Sequence, residues 1–141
     1  MARVLGVDLG ERRIGLARSD PGGILASPVG CVERSGDPDA DRAAVVAAAR
    51  DAEATVIVVG LPRSLSGREG PAARAARDEA AALAAVAGEI RVVLHDERLT
   101  TVQAARSMAA AGRSSRDQRD RIDAAAATVL LQSWLDAGGR P

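Results

Sequence analysis

The chain has 141 residues, a formal net charge of zero and a single cysteine. This length is near the commonest size of one domain, so we expect a single domain over residues 1–141. The balanced charge argues against a protein that coats nucleic acid by bulk attraction but leaves room for a local basic groove. The lone Cys31 excludes an intrachain disulfide and favours a reducing compartment. The sequence shows neither the pattern of a signal peptide at its start nor an apolar run long enough to span a membrane. We therefore expect a cytoplasmic protein with no membrane partner.

The first part of the chain is predicted to form three consecutive strands, at residues 3–9, 14–19 and 24–33. The short connection between the first two strands implies an antiparallel hairpin. Pro28 lies within the third strand and has no N–H to donate, which indicates a bulge or an edge position. The chain therefore opens with a three-stranded meander.

The middle of the chain alternates between helix and strand. The predicted helices cover residues 37–53 and 71–87, and the predicted buried strands cover residues 55–59 and 90–95. Asp37 can cap the first of these helices, and Pro38 suits its first turn. A polar, glycine-bearing loop is expected at 61–70. Alternation of strand and helix is typical of parallel strand pairing.

Two further helices are predicted at residues 102–111 and 117–137, with a loop at 112–116 between them. Gly138 and Gly139 then end the last helix. A meander followed by strand–helix units predicts an α/β fold, in which helices flank a mixed sheet.

Acidic residues stand out against the apolar segments. Asp8 interrupts the apolar first strand, and a buried carboxylate needs a cation, a metal or a hydrogen-bond donor. Glu97 comes just after a predicted parallel strand, where ligands bind in open α/β sheets. Asp123 lies within the final helix. Three such acids can hold Mg²⁺ or Mn²⁺, and metal-assisted phosphodiester cleavage uses hard cations about 4 Å apart.

Five motifs make a more specific resemblance. They are residues 6–10 (GVDLG), 13–17 (RIGLA), 59–62 (VGLP), 96–101 (DERLTT) and 122–126 (IDAAA). In this order and spacing they resemble the YqgF family, which is Holliday-junction-resolvase-like and has an RNase H-like fold. The resemblance covers essentially the whole domain. It differs in the loop after Pro62, where Ser64 and Ser66 replace the usual Asn and Asp.

The resemblance implies a fold, an activity and a site. The fold is a five-stranded mixed sheet in the order 3-2-1-4-5. The activity is that of a hydrolase, a nuclease that matures the 5′ end of pre-16S rRNA in ribosome biogenesis. Asp8, Glu97 and Asp123 would be both the metal-binding and the catalytic acids, with Mg²⁺ or Mn²⁺ as cofactor.

Four other residues are candidates for supporting roles. Asp96 could position the turn or bond the backbone. Thr100 and Thr101 precede a helix, so N-capping explains at least one of them. Asp120 lies three residues before Asp123 and either joins the site or pairs with a neighbouring arginine.

All 19 residues counted as Lys or Arg are arginines, whose planar fork suits phosphate. The candidates for nucleic-acid binding lie near the predicted strand ends and the last helix: Arg13, Arg63, Arg98, Arg116 and Arg119. On one face they would form a phosphate-contacting groove, whereas singly each is explained as solvated surface.

The leading interpretation is a magnesium-dependent endonuclease that acts on structured RNA, with water as nucleophile. An alternative with the same chemistry is a Holliday junction resolvase that acts on branched DNA and needs a dimer. A third is a non-catalytic ribosome-assembly or transcription-associated module that binds nucleic acid. The partners expected are nucleic acid and a pre-ribosomal particle, and the protein itself is either a monomer or a homodimer.

Overall fold

A computed structural model describes residues 2–64, 66–97 and 116–141, without the side chains of 116–123. The elements in chain order are β1 (Arg3–Leu9), β2 (Arg13–Ser19), β3 (Ala26–Glu33), α1 (Pro38–Asp51), β4 (Ala54–Leu61), α2 (Pro71–Val86), β5 (Arg91–Asp96) and α3 (Arg116–Asp136). The five strands form one sheet in the order β3-β2-β1-β4-β5. The predicted strand order is therefore confirmed.

Strand direction follows from the connections. The short turns make β1–β2 and β2–β3 antiparallel, and the crossovers make β1–β4 and β4–β5 parallel. In the β2–β3 pair the register shifts where Leu16 meets Gly30 and Ala17 meets Pro28. Pro28 therefore lies beside a bulge on an edge strand, which confirms the interpretation drawn from its missing N–H.

Several predicted bounds were wrong by one or two residues. β3 begins at Ala26, because the N–H groups of Ile24 and Leu25 donate to Asp20 Oδ1 at 2.7 and 2.9 Å. α3 begins at Arg116, which the sequence placed in a loop. The predicted helix at 102–111 lies outside the described residues.

The prediction of a buried fifth strand was also wrong. Every residue of β5 is half-buried except Arg91, which is exposed. The reason is its position at the edge of the sheet, next to β4 on one side. By contrast, the interior strand β4 is buried except at Thr55.

The two helices in the middle of the chain begin as the sequence indicates. Asp37 caps α1 by accepting from the N–H groups of Asp39 and Ala40 at 3.1 and 3.3 Å, and Pro38 occupies its first turn. α2 begins at Pro71. No helix in the described part of the chain has the length and apolarity needed to cross a membrane.

The sheet separates two apolar layers. On one face, β1 and β4 pack against α1 and α2, in a cluster that includes Leu5, Ile57 and Leu83. On the other face the same strands pack against α3, in a cluster that includes Val4 and Leu131. Because strand side chains alternate between faces, the even-numbered residues of β1 lie on the α3 face.

Candidate active site

Asp8 is a buried carboxylate near the carboxyl end of β1, with 2% of its surface exposed. It shares the α3 face of the sheet with Val4. On one side it pairs in register with Gly15 of β2. On the other, the pairing of Val7 with Val59 puts Gly60 beside it. Neither neighbouring position carries a side chain, because both are glycines.

Glu97 is the second buried carboxylate, and 3% of its surface is exposed. It follows β5 directly, and its N–H donates to the carbonyl of Leu61 at 3.2 Å, which extends the β4–β5 pairing by one step. Its Oε2 lies 3.2 Å from the point that a Cβ on Gly60 would occupy. Gly60 therefore lies next to both Asp8 and Glu97, and a larger side chain there would crowd the Glu97 carboxylate and Leu130.

The surroundings of Glu97 disfavour its negative charge. Burial, with a smaller contribution from the charge of Asp96, raises the pKa of Glu97 to about 6. A bound cation would offset this cost. Carboxylate oxygens are the ligands that Mg²⁺ and Mn²⁺ prefer, so Asp8 and Glu97 fit a divalent metal by the chemistry of their donors.

Glu97→Gln is expected to change the pH dependence of stability in EDTA. The folded-state pKa of about 6 exceeds the ordinary 4.5, so the wild type loses stability as pH rises through this window. The difference corresponds to about 2 kcal/mol of unfolding free energy. The unfolding free energy of the variant, measured by urea unfolding relative to that of the wild type, should therefore rise by this amount between pH 4 and pH 8. Parallel pH curves for the two proteins would contradict the prediction.

The third predicted acid, Asp123, lies in α3, four residues or about one turn before Ala127. The carbonyl oxygen of Ala127 approaches to 3.1 Å from the Cβ position of Gly6, so this part of α3 lies against β1. The side chain of Asp123 is outside the described set. Among the side chains that are described, no group of three His, Cys, Asp or Glu residues could hold a metal. The convergence of three acids therefore stays a prediction.

Among the other predicted residues, the structure describes the side chains of some but not of others. The side chains of Asp120, Arg116 and Arg119 in α3, and the whole of Arg98, Thr100 and Thr101, fall outside the described part of the chain. Arg13 lies on β2, largely buried, with Nη2 3.5 Å from Glu33 Oε1 on β3.

Arg63 and Asp96 contact each other. Arg63 Nη1 donates to Asp96 Oδ2 at 3.2 Å, and Arg63 Nη2 donates to the carbonyl of Gly67 at 2.8 Å. The two serines that depart from the family pattern support the same loop, since Ser64 Oγ and Ser66 Oγ lie 2.8 Å apart. The basic residue and the acid are therefore joined in one loop-to-strand contact.

A cleft of about 530 Å³ opens beside Glu97. Its walls come from the β1–β2 turn and the start of α2, and they include Leu9, Pro62 and Ala72. Arg34 also lines this cleft, and its Nε donates to the carbonyl of Gly10 at 2.8 Å. Sequence reasoning missed Arg34. The available signal was its position just after the third strand, which the meander brings back beside the first turn.

His95 pairs in register with Gly60, and its side chain lies on the α3 face of the sheet. Its Nε2 lies 3.0 Å from Ser133 Oγ on α3, and burial lowers its pKa, with Asp96 opposing the shift. The neutral form is therefore favoured. His95 is thus a strand-end histidine that is held by a hydrogen bond to Ser133.

The sheet order, the flanking helices and the buried acids at the carboxyl ends of the strands define an RNase H-like α/β domain. Two solved structures show the same fold. Thermus thermophilus RuvC in complex with a Holliday junction substrate matches with a TM-score of 0.53 and 18% identity, over 97% of this chain and 95% of that one. A second Thermus thermophilus RuvC structure matches with a TM-score of 0.52 and 16% identity, over 96% and 95%.

The chain belongs to the RuvX family, described as Holliday junction resolvase, whose family model matches residues 2–137. It is thus a member of a nuclease family, whose reaction is hydrolysis of phosphodiester bonds. The resemblance to YqgF proteins is confirmed.

Three similar proteins carry the name "Putative pre-16S rRNA nuclease". The protein of Mycobacterium ulcerans is 50% identical, over 98% of this chain and 84% of its own length. That of Nocardioides sp. is 49% identical over 94% and 86%, and that of Mycobacterium sp. (strain KMS) is 47% identical over 95% and 79%.

Proposed function

We propose that this chain is a divalent-metal-dependent endonuclease that cleaves precursor 16S rRNA during ribosome biogenesis. The observation that carries the proposal is the pair of buried carboxylates, Asp8 and Glu97, next to Gly60 at the carboxyl ends of their strands. The names of the relatives support this RNA substrate. We further propose that the protein acts in the cytoplasm, on a pre-ribosomal particle, as a monomer or a homodimer.

Asp8 and Glu97 would hold the metal, with Asp123 as the third acid. When bound, Mg²⁺ or Mn²⁺ supplies an activated water as nucleophile and a positive charge for the leaving oxygen. The protein residues contribute fixed positions. Asp8 is held within the hydrogen-bonded ladder of β1, and Glu97 by its backbone bond to Leu61. Such preorganisation spares the site from rearrangement during the reaction.

The surroundings of the acids suit a phosphodiester substrate. The cleft that Gly60 and Glu97 line would give an RNA strand a path to the Glu97 carboxylate. Burial keeps bulk water away, so charge interactions in the site are strong. Arg98, Arg116 and Arg119 are proposed to contact the RNA backbone from the neighbouring segments.

A second candidate is resolution of branched DNA, because the matching family carries the description Holliday junction resolvase. The chemistry would be the same, but a four-way junction must be cut on two strands, so the active form would be a dimer. A non-catalytic binding module is the third alternative, and it would have no need of two buried acids.

The test is cleavage of a labelled RNA that spans the 5′ end of pre-16S rRNA, in parallel with a four-way DNA junction. Each substrate is incubated with Mg²⁺, with Mn²⁺ and with EDTA. We expect cleavage of the RNA in the presence of metal and none in EDTA. Cleavage of the junction alone, by a dimer in sedimentation, would establish the resolvase instead. If a folded, metal-binding protein cut neither, autonomous catalysis would be abandoned.

A further inference from the structure

Arg63 lies in the loop between β4 and α2, and acceptors of its own chain surround it. Nη1 donates to Asp96 Oδ2 at 3.2 Å, while Nε and Nη2 both donate to the carbonyl of Gly67, at 3.2 and 2.8 Å. Glu69 Oε2 lies 3.8 Å from Nε. The guanidinium is therefore engaged by groups of opposite charge within the fold and is only partly exposed.

These contacts fasten the end of β5 to the end of β4. Asp96 is the last residue of β5, and Arg63 comes two residues after Leu61, the last residue of β4. A backbone bond joins the same ends, from the N–H of Glu97 to the carbonyl of Leu61. Asp96, the residue before Glu97, is thus held through its side chain, and Glu97 itself is held through its backbone.

We propose that Arg63 is a positioning residue, which holds Asp96 and the 62–70 loop so that the adjacent Glu97 carboxylate stays beside Gly60, in place to bind the metal. The inference rests on the proposed metal-dependent function. It gives Arg63 a role different from the phosphate contact that the sequence suggested.

The position of β5 explains why its end needs the contact with Arg63. β5 is an edge strand and is only half-buried, so packing constrains its end less than it constrains β1 or β4. The planar fork of arginine bonds Asp96 and Gly67 at the same time, which a lysine cannot do with the same geometry. Residues that orient metal ligands typically affect metal affinity by about 10- to 100-fold.

The first measurement is Mn²⁺ affinity by calorimetry, with the full chain. We expect Arg63→Gln to weaken Mn²⁺ binding about tenfold, and Arg63→Lys to fail to restore it. The matched control is Arg77→Gln, which breaks the pair between Arg77 and Glu69, at 2.6 Å for each of two bonds, without touching Asp96. This control should bind Mn²⁺ like the wild type. Equal affinities for Arg63→Gln and the wild type would overturn the proposal.

The second measurement is RNA binding in EDTA at several salt concentrations. A positioning role predicts the same RNA affinity and salt dependence for Arg63→Gln and the wild type. A phosphate contact predicts weaker binding and a slope of log affinity against log salt that is smaller by about one, which would overturn the proposal.

Asp96→Asn provides an independent check if Arg63→Gln folds poorly. It should weaken Mn²⁺ binding as Arg63→Gln does. The double variant should show little further loss of affinity, since both changes break the same contact, the one between Arg63 and Asp96. Additive losses would overturn the proposal.

Failure of the inference is distinguishable from failure of the proposed function. If Asp8→Asn binds Mn²⁺ as tightly as the wild type, the metal site itself is wrong and the role of Arg63 falls with it. If Asp8→Asn loses Mn²⁺ while Arg63→Gln keeps wild-type affinity, only the positioning role is wrong.

Discussion

Asp8→Asn should abolish metal-dependent cleavage while leaving the protein folded. The amide has nearly the same shape as the carboxylate, so it opens no cavity at this buried position. It lacks the negative charge that a divalent cation requires. Loss of the several kcal/mol that metal catalysis supplies corresponds to a rate at least about 10³-fold lower. Single-turnover cleavage of the precursor RNA, with Mg²⁺ in excess, measures this effect.

The matched control is Asp41→Asn, which makes the same change at another buried aspartate. Asp41 lies in the first turn of α1, where its carboxylate accepts from the N–H and hydroxyl of Ser35 at 3.1 and 2.8 Å. This change affects stability at a distance from the proposed site, so cleavage at a temperature below unfolding should remain. Near-normal cleavage by a purified Asp8→Asn protein would contradict the catalytic assignment.

Gly6→Val is expected to destabilise the fold strongly. Gly6 lies in the central β1, where an added Cβ would be 2.8 Å from Leu131 Cβ and 3.1 Å from the carbonyl of Ala127, both in α3. Neither atom is the free end of a flexible side chain, so α3 must move away from the sheet. Such overpacking costs about 3 kcal/mol, which lowers Tm by roughly 10 °C in a domain of this size.

Thermal unfolding of Gly6→Ala, Gly6→Val and a control tests this expectation. The control is Gly70→Ala, because a Cβ on Gly70 has no atom within 4 Å. It should cost no more than about 1 kcal/mol, through the change at the start of α2. At temperatures at which Gly6→Val is still folded, its cleavage rate should also be lower than that of the wild type, because a displaced α3 carries Asp123 with it. Equal stability of Gly6→Val and Gly70→Ala would show that α3 is not packed as described.

Local signals were sufficient for most of the fold. Apolar strands, the cap formed by Asp37 and Pro38, and the alternation of strands with helices depend on neighbouring residues, so one sequence displays them. The errors came where distant groups intervene. Ile24 and Leu25 have side chains typical of strands, but their N–H groups donate hydrogen bonds to the carboxylate of Asp20. β5 is as apolar as a buried strand, but its place at the sheet edge leaves it half-buried.

For the candidate site as well, some features could be predicted from the sequence and others could not. The sequence alone determined that Asp8 and Glu97 needed an explanation, because an acid within or just after an apolar strand is costly unless something satisfies it. Only the tertiary structure decided that Gly60 lies beside both acids and that Arg63 bonds Asp96, 33 positions away. Those relations depend on the parallel register of β4 with β1 and β5. Burial of the sheet between two helical layers sets that register, and no local pattern contains it.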